Sequence, residues 1–440
     1  MSQHSKELSV ALRAVHLASL LTKQHLLTYQ STTRRVDEST KADASEVTVA
    51  DFAAQAVLIS IIHHVFPNDS FIAEESSEML RSDDALLGRV WELVLGASKL
   101  QGQSKRSWSD SALDVKLPTS QEEMLSVIDL GQQDDKEKAS SNSGRTWILD
   151  PIDGTKTYIR GQQYAVCLCL IDDSEQKVAV LGCPNLNLEQ RGENGRVTIE
   201  ETIVDLNPNG GWILSALKGH GTYLSRTASP ASRQKAEDVL GPSLHDHDPQ
   251  APAPAQAQQA QSKPFLHFTD SSASPHVSKD LHNRIFEHFA PHSSPDSAPH
   301  TRKLSIPAVP EGTPSLALDI WSMQLKYVLL ALRAEGADAM VRMPPQSTYH
   351  AAVWDHAGGQ LLLTESGGVL TDAHRKGFVI DGKTRKLEGN WGVCAVRGGR
   401  HMGVDGGSLE ADKVHEVLIS KVTEEVSSRR KGREDKDEND

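Results

Sequence analysis

The chain has 440 residues, enough for two or three domains, or for two with long insertions. Hydrophobic residues make up 38%, below the ~45–50% of ordinary globular chains, and the deficit is local, so it reads as polar insertions in a normal core. Acidic residues outnumber basic ones 59 to 46, a net charge of −13 that repels nucleic-acid polymers and anionic membranes and excludes both as expected partners.

Taken in chain order, Met1 to Glu7 is polar and lacks the apolar stretch of a signal peptide. Residues 5–28 carry Leu8, Leu12, Val15 and Ser19 at helical spacing and predict an amphipathic helix. A polar stretch leads to an extended Val47-Thr48-Val49-Ala50. Asp51 then reads as the N-cap of a helix from Phe52 to Phe66, which Pro67 ends. Phe71-Ile72-Ala73 is a short strand running into Glu74-Glu75. A helix is expected near Leu86 to Leu95, with loops at Gln101–Ser111 and Gln132–Gly144.

Arg145 to Leu149 is a strand that delivers Asp150. Tyr164 to Ile171 is a continuous apolar run of strand length, turned by Asp172-Asp173-Ser174 into a return strand, Val178 to Cys183. A second hairpin is expected around Lys218-Gly219-His220. Residues 226–264 are low in complexity, and Pro249 to Gln261 cannot bury enough apolar surface to offset its ordering entropy; a disordered insertion is expected. Residues 289–313, rich in Pro, Ser and His, form a second irregular stretch. Helices follow at Ile320–Leu332 and Trp354–Glu365, the latter with Gly367 at C′, and strands at Ala339–Met343 and Val369–Thr371. From Glu424 to the end the charged tail reads as disordered. The domain expectation is therefore an N-terminal α+β unit (1–225), the insertion (226–264), a C-terminal α/β unit (265–423) and the tail (424–440). No run of 18 apolar residues exists, and the four cysteines, Cys167, Cys169, Cys183 and Cys394, form no C-x-x-C pair; buried thiols in a reducing, cytoplasmic compartment are expected.

The chemistry concentrates in Trp147-Ile148-Leu149-Asp150-Pro151-Ile152-Asp153-Gly154-Thr155. A strand ends at Asp150, Pro151 fixes φ and has no N–H, and Gly154 permits a tight turn. Such a turn can aim Asp150, Asp153 and the Ile152 carbonyl at one point, an all-oxygen set suited to a hard cation such as Mg²⁺. A surface Asx-turn would use the same residues. Two further segments bear on the choice. Ile72-Ala73-Glu74-Glu75-Ser76 ends a strand on a carboxylate, as a solvated strand end also would. Val353-Trp354-Asp355-His356-Ala357-Gly358-Gly359 starts a helix on one, as a simple N-cap also would.

Together, and in this order, the three segments resemble the lithium-sensitive, magnesium-dependent phosphomonoesterases of the inositol monophosphatase family, whose signatures are W-x-x-D-P-I-D-G-T, strand-E-E and W-D-x-A-x-G. The resemblance covers roughly residues 5–75, 145–225 and 315–400. Four local runs are similar to its 3′(2′),5′-bisphosphate nucleotidase branch: Val47–Gln55, Arg160–Val166, Gly182–Leu186, and Lys326-Tyr327 with Arg342-Met343-Pro344.

The resemblance implies a layered αβαβα sandwich. It also implies Mg²⁺, two or three ions, on Glu74, Asp150, the Ile152 carbonyl, Asp153 and Asp355. Asp51 and Thr155 would activate the attacking water. Thr155, His276, Lys326, Arg342 and Tyr349 would contact a small nucleotide. The implied reaction removes the 3′-phosphate of adenosine 3′,5′-bisphosphate to give AMP, with 3′-phosphoadenylyl sulfate a second candidate substrate and sulfate assimilation the setting. The implied assembly is a monomer or weak dimer. An inositol or other sugar monophosphatase is the alternative within the family, and a catalytically weak nucleotide sensor the alternative outside catalysis. The chain departs from the branch at Met323, where a serine is expected, at Ala53 and Ala73, where glycine or another small residue is, and at Glu46, where proline is.

Overall fold

The computed structural model describes residues 3–31, 38–40, 46–104, 115–132, 144–192, 195–240, 264, 266–271, 274–289, 317–402 and 408–437. The N-terminal half begins with α1 (Ser5–Ser31), β1 (Glu38–Thr40), β2 (Glu46–Thr48), α2 (Val49–Val65) and β3 (Ser70–Ala73). Then come α3 (Glu78–Ser82), α4 (Asp84–Ser104), α5 (Gln121–Asp129), β4 (Thr146–Asp153), α6 (Thr155–Ile159), β5 (Ala165–Asp172) and β6 (Glu175–Cys183). β7 (Trp212–Leu217), β8 (Thr222–Arg226), β9 (Gln234–Lys235) and α7 (Ala236–Leu240) follow. Next are β10 (Phe268–Asp270), α8 (Lys279–Phe289), β11 (Ala317–Asp319), α9 (Met323–Ala331), β12 (Ala339–Arg342) and α10 (Ala357–Glu365). The chain closes with β13 (Val369–Thr371), β14 (Val393–Val396), β15 (His401–Met402), β16 (Ser408–Leu409) and α11 (Ala411–Asp437).

Two sheets dominate. A seven-stranded sheet runs β3-β4-β5-β6-β7-β8-β9, and a five-stranded sheet runs β11-β10-β12-β14-β13. Each is covered on both faces, which is why its strands read as unbroken apolar runs rather than alternating ones. In β5, Val166, Leu168 and Leu170 join a cluster with α1, α2, α4 and α5, whereas Ala165 and Cys167 join the opposite cluster with α9 and α10. In the second sheet Met340 and Ala395 face that same central cluster, while Val341 and Val396 face α8 and α11. The stacking order is therefore helix, sheet, helix, sheet, helix. The central helices α9 and α10 lie between the sheets, and their N-terminal ends meet the end of β4.

Several local expectations are corrected. Asp51 is not an N-cap: Thr48 is, and Asp51 sits one turn inside as the acidic partner of a capping box, with the Thr48 side chain accepting from Ala50 N. Helix therefore starts at Val49, where an extended piece was expected. α9 starts at Met323 because Ser322 caps it through Leu325 N, and α10 starts at Ala357, so Asp355 lies in the turn before the helix. α5 and α8 were not anticipated. The tail from Glu424 is helical to Asp437: Val414, Leu418, Val422 and Val426 of α11 form one apolar stripe in the α8 cluster, and Glu425 pairs with Arg284 and Lys421. The start of the expected insertion is also ordered. Lys235 pairs with Tyr223, Ala236 is buried, and the Arg233 guanidinium lies 4.5 Å from the Tyr223 ring centroid. The run Pro249–Gln261 lies outside the described residues, as do residues 290–313 of the second irregular stretch.

A first prediction follows for the insertion. Replacing residues 242–262 with a short Gly/Ser linker should leave the melting temperature within about 2 °C and turnover unchanged, because loop length costs only ~0.6 kcal/mol per doubling. Starting the replacement at Ser229 instead removes β9 and α7 and should lower the melting temperature. Calorimetry and rate assays on both variants check this, and equal loss from the two would contradict it.

Candidate active site

β4 is buried along its length and ends in a distorted ladder. Asp150 pairs with Cys167, but the next pairing is Asp153 with Ala165, so β4 carries one residue more than β5 over this step. Pro151, which cannot donate to the ladder, occupies the bulge. The extra residue matters. Three positions apart on a regular strand, Asp150 and Asp153 would face opposite sides; the bulge turns them to the same one. Ile152 N donates to Asp150 Oδ1 at 3.1 Å and closes the turn. Gly154 follows with φ +95°, where a Cβ would also meet Thr157 Oγ1 at 2.8 Å, so no other residue fits without strain.

Asp153 is held by the start of α9. Ser322 Oγ and Gln324 N, the latter at 2.6 Å, donate to its Oδ2, and Met323 N donates to its Oδ1 at 3.2 Å. The unpaired N–H groups of a helix start thus steady a carboxylate delivered from the other sheet. Gln324 ties the same helix to the turn before α10: its Nε2 donates to Trp354 O and its Oε1 accepts from Gly359 N, both at 2.6 Å. Asp355 lies between those two contacts.

Asp150, Asp153 and Asp355 each offer a carboxylate oxygen, and these lie within 4.8 Å of one another, forming the one such acidic or metal-ligating group among the described residues. Burial raises the Asp150 pKa well above the usual carboxylate range, and the charges of Glu74, Asp153, Asp355 and Asp51 add to the effect. Burial also lifts Asp355, to about 7, with Asp153 and Glu74 adding and Arg342 opposing. Asp153 is raised by burial against the pull of Ser322 and the α9 N–H groups. Glu74 lies just past β3, close enough to act on Asp150 and Asp355 but outside the tight trio. Its neighbour Glu75 is buried, with its backbone N donating to Gln55 Oε1 at 3.0 Å and its carbonyl accepting from Gln55 and Gln132.

The remaining expected residues surround this trio. Asp51 Oδ2 accepts from Thr48 N at 2.9 Å and Thr48 Oγ1 at 2.6 Å, and its Oδ1 lies 3.4 Å from Thr155 Oγ1. Thr155 Oγ1 is also 3.2 Å from the Ile152 carbonyl. Lys326 is buried, donates to Ser271 Oγ at 2.6 Å, and burial lowers its pKa to about 8. Arg342 Nη1 lies 3.0 Å from Met323 Sδ, so the thioether seats the guanidinium. The His276 and Tyr349 rings stack at 5.0 Å, and both feel the Arg342 charge. Every expected residue thus lies in one neighbourhood at the junction of the two sheets. Sequence reasoning did not single out Ser322, Gln324, Gln55 or Ser271. Ser322 was within reach, as a serine three residues ahead of Leu325 opening an apolar run; nothing local marked the others.

The donor set is hard. Cys167, opposite Asp150 on β5, is kept protonated by burial and by the neighbouring carboxylates, so it offers no thiolate, and the trio presents only oxygen. Such a set fits a divalent cation of the magnesium type better than zinc or copper. Among the described residues no helix is long and apolar enough to cross a membrane.

The sequence pattern of the inositol monophosphatase family matches residues 110–401. The chain is 34% identical over 397 residues to a 3′(2′),5′-bisphosphate nucleotidase of Emericella nidulans, with 89% of this chain and 94% of that protein covered. It is 32% identical over 390 residues to the protein of the same name from Schizosaccharomyces pombe, covering 89% and 91%. Against that of Oryza sativa it is 31% identical over 401 residues, covering 89% and 90%.

Proposed function

Because the chain belongs to the inositol monophosphatase family, a divalent-metal-dependent group, we propose that it is a Mg²⁺-dependent phosphatase that removes the 3′-phosphate of adenosine 3′,5′-bisphosphate. The observation that carries the phosphatase reading is the oxygen-only trio of buried Asp150 and Asp153 with half-buried Asp355, beside the Asp51–Thr155 pair. The substrate reading draws on the near full-length similarity to bisphosphate nucleotidases.

In this reading Glu74, Asp150, the Ile152 carbonyl, Asp153 and Asp355 would hold two or three Mg²⁺ ions. Bound there, Mg²⁺ supplies Lewis-acid stabilisation of the phosphate and leaving oxygens and acidifies a water. The chain's own residues do the rest. Thr155 orients the water by accepting its proton through Oγ1 and donating its own to Asp51, the general base. Thr48, with two donors on Asp51 Oδ2, holds that carboxylate so that Oδ1 faces Thr155. Lys326, charged at neutral pH with a pKa of about 8, and Arg342 bind the 5′-phosphate against the chain's net negative field. His276 and Tyr349 flank the nucleoside. The four free, buried cysteines support a reducing, cytoplasmic setting.

The test is a phosphate-release panel on the purified chain. Adenosine 3′,5′-bisphosphate should be hydrolysed far faster than inositol monophosphate, with no release in chelator. Comparable rates on the two substrates would overturn the nucleotide assignment, and full activity in chelator the metal one. A further arm compares LiCl with KCl at matched ionic strength and fixed Mg²⁺. Li⁺, near Mg²⁺ in size but with half its charge, should inhibit much more strongly than K⁺, and superimposable curves would contradict an oxygen site for small hard cations.

A further inference from the structure

Arg385 lies in the connection between β13 and β14, far in sequence from every acidic residue of the site. Its guanidinium reaches the N-terminal sheet: Nη2 donates to the Ala73 carbonyl at 2.7 Å and Nη1 to the Gly131 carbonyl at 2.8 Å. Ala73 is the residue before Glu74. The same guanidinium lies 4.8 Å from the ring centroid of Trp354, the residue before Asp355. Its backbone is tied to that segment too. The Arg385 carbonyl accepts from Val353 N at 3.1 Å, and Leu387 N donates to the Ala351 carbonyl at 2.9 Å. One side chain thus touches the chain neighbours of two acidic residues, one just past a strand of the N-terminal sheet and the other in the turn before α10.

We propose that Arg385 is a positioning residue that sets the spacing between Glu74 and Asp355, and through it the affinity of the acidic cluster for a divalent cation. This rests on the metal reading above. The two carboxylates repel each other, so the spacing needs a tie that bears on both backbones. A planar guanidinium suits the task because it can stack flat on Trp354 while its two terminal nitrogens donate to two separate carbonyls. A lysine would keep the charge but could not hold both carbonyls and the ring in one geometry. The sequence gives no hint of this, because the partners are backbone carbonyls with no residue identity to read.

The experiment measures Mg²⁺ binding to the substrate-free, full-length protein by calorimetric titration, with melting temperatures in metal-free buffer. Arg385→Lys should weaken Mg²⁺ binding ~10–100-fold, as loss of an outer contact to a metal ligand typically does, with the metal-free melting temperature little changed. Saturating Mg²⁺ should then restore most of the turnover. Unchanged Mg²⁺ affinity in Arg385→Lys would overturn the proposal, because the charge is kept and only the geometry is lost. If the unaltered chain binds no Mg²⁺, the metal reading itself fails and takes the proposal with it; the two failures are distinguished by which protein fails to bind. Hydrogen exchange on the unaltered chain covers the case of a variant that folds poorly. Adding Mg²⁺ should slow exchange together at 73–75, 353–357 and 385–387, and protection that leaves out 385–387 would overturn the inference.

Discussion

Asp153→Asn is expected to lower phosphate release ~10²–10³-fold at saturating Mg²⁺, the loss that follows removal of one preorganised electrostatic contact at a reacting centre. The magnitude rests on what the substitution leaves behind. Asp153 Oδ2 accepts from two groups, Ser322 Oγ and Gln324 N, so the amide oxygen of the variant stays on that side. The new NH₂ then faces Met323 N, a donor, and that bond is lost at a cost of about 1–3 kcal/mol. The loss of a negative charge offsets part of the cost, because Asp150 and Asp355 are both raised by the charge of Asp153. The variant should therefore fold in metal-free buffer yet lose most of the stabilisation that Mg²⁺ gives the unaltered chain. Initial rates and melting curves with and without Mg²⁺ check both halves. Turnover above about a tenth of the unaltered rate would remove Asp153 from the metal site.

How far this site could be read from the sequence depends on distance along the chain. The Asp150–Thr155 turn was legible because its causes are local: a proline that cannot pair, a glycine that accepts positive φ, and carboxylates between them. The five layers were expected from the family resemblance, and the continuous apolar run of β5, packed on both faces, agrees with them. The register shift that brings Asp150 and Asp153 to one side was not legible, since it is a relation between β4 and β5. The cradle for Asp153 comes from Ser322, Met323 and Gln324, more than 160 residues away, and nothing near Asp153 announces it. Other differences were local and still read otherwise. Asp51 looks like an N-cap until Thr48, three residues earlier, is seen to be the better one and to need an acidic partner at that spacing. α5 carries the same pattern in Ser120 and Glu123, with the Thr119 hydroxyl and N–H both donating to the Glu123 carboxylate. The helical tail was hidden by its charge, which composition alone reads as disorder; it continues α11, whose apolar stripe through Val414, Leu418, Val422 and Val426 meets α8 only in three dimensions.

The capping box around Asp51 leads to the second large effect. Thr48 supplies two donors to Asp51 Oδ2, so in Asp51→Asn the amide oxygen stays with Thr48 and the NH₂ turns toward Thr155. The Thr155 hydroxyl then loses an acceptor and gains a donor. Its one proton is left to the Ile152 carbonyl at 3.2 Å, and with no carboxylate to receive that proton the hydroxyl cannot pass one on from water. The expected loss in turnover is ~10²–10⁴-fold, the usual worth of a positioned general base. Mg²⁺ affinity should fall far less than in Asp153→Asn, because Asp51 is not among the five proposed ligands and bears on them only through its charge on Asp150. That separation distinguishes Asp51→Asn from Asp153→Asn, which loses both. Thr155→Val should fall into the same range, while Thr155→Ser, which keeps the hydroxyl, should retain most activity. The double variant Asp51→Asn/Thr155→Val carries the sharpest expectation. If the two residues pass one proton along one path, breaking the path twice costs no more than breaking it once, and the double variant should be no slower than the slower single one. Losses that instead multiply would mean that Asp51 and Thr155 act separately, and the proton path from water through Thr155 to Asp51 would have to be abandoned.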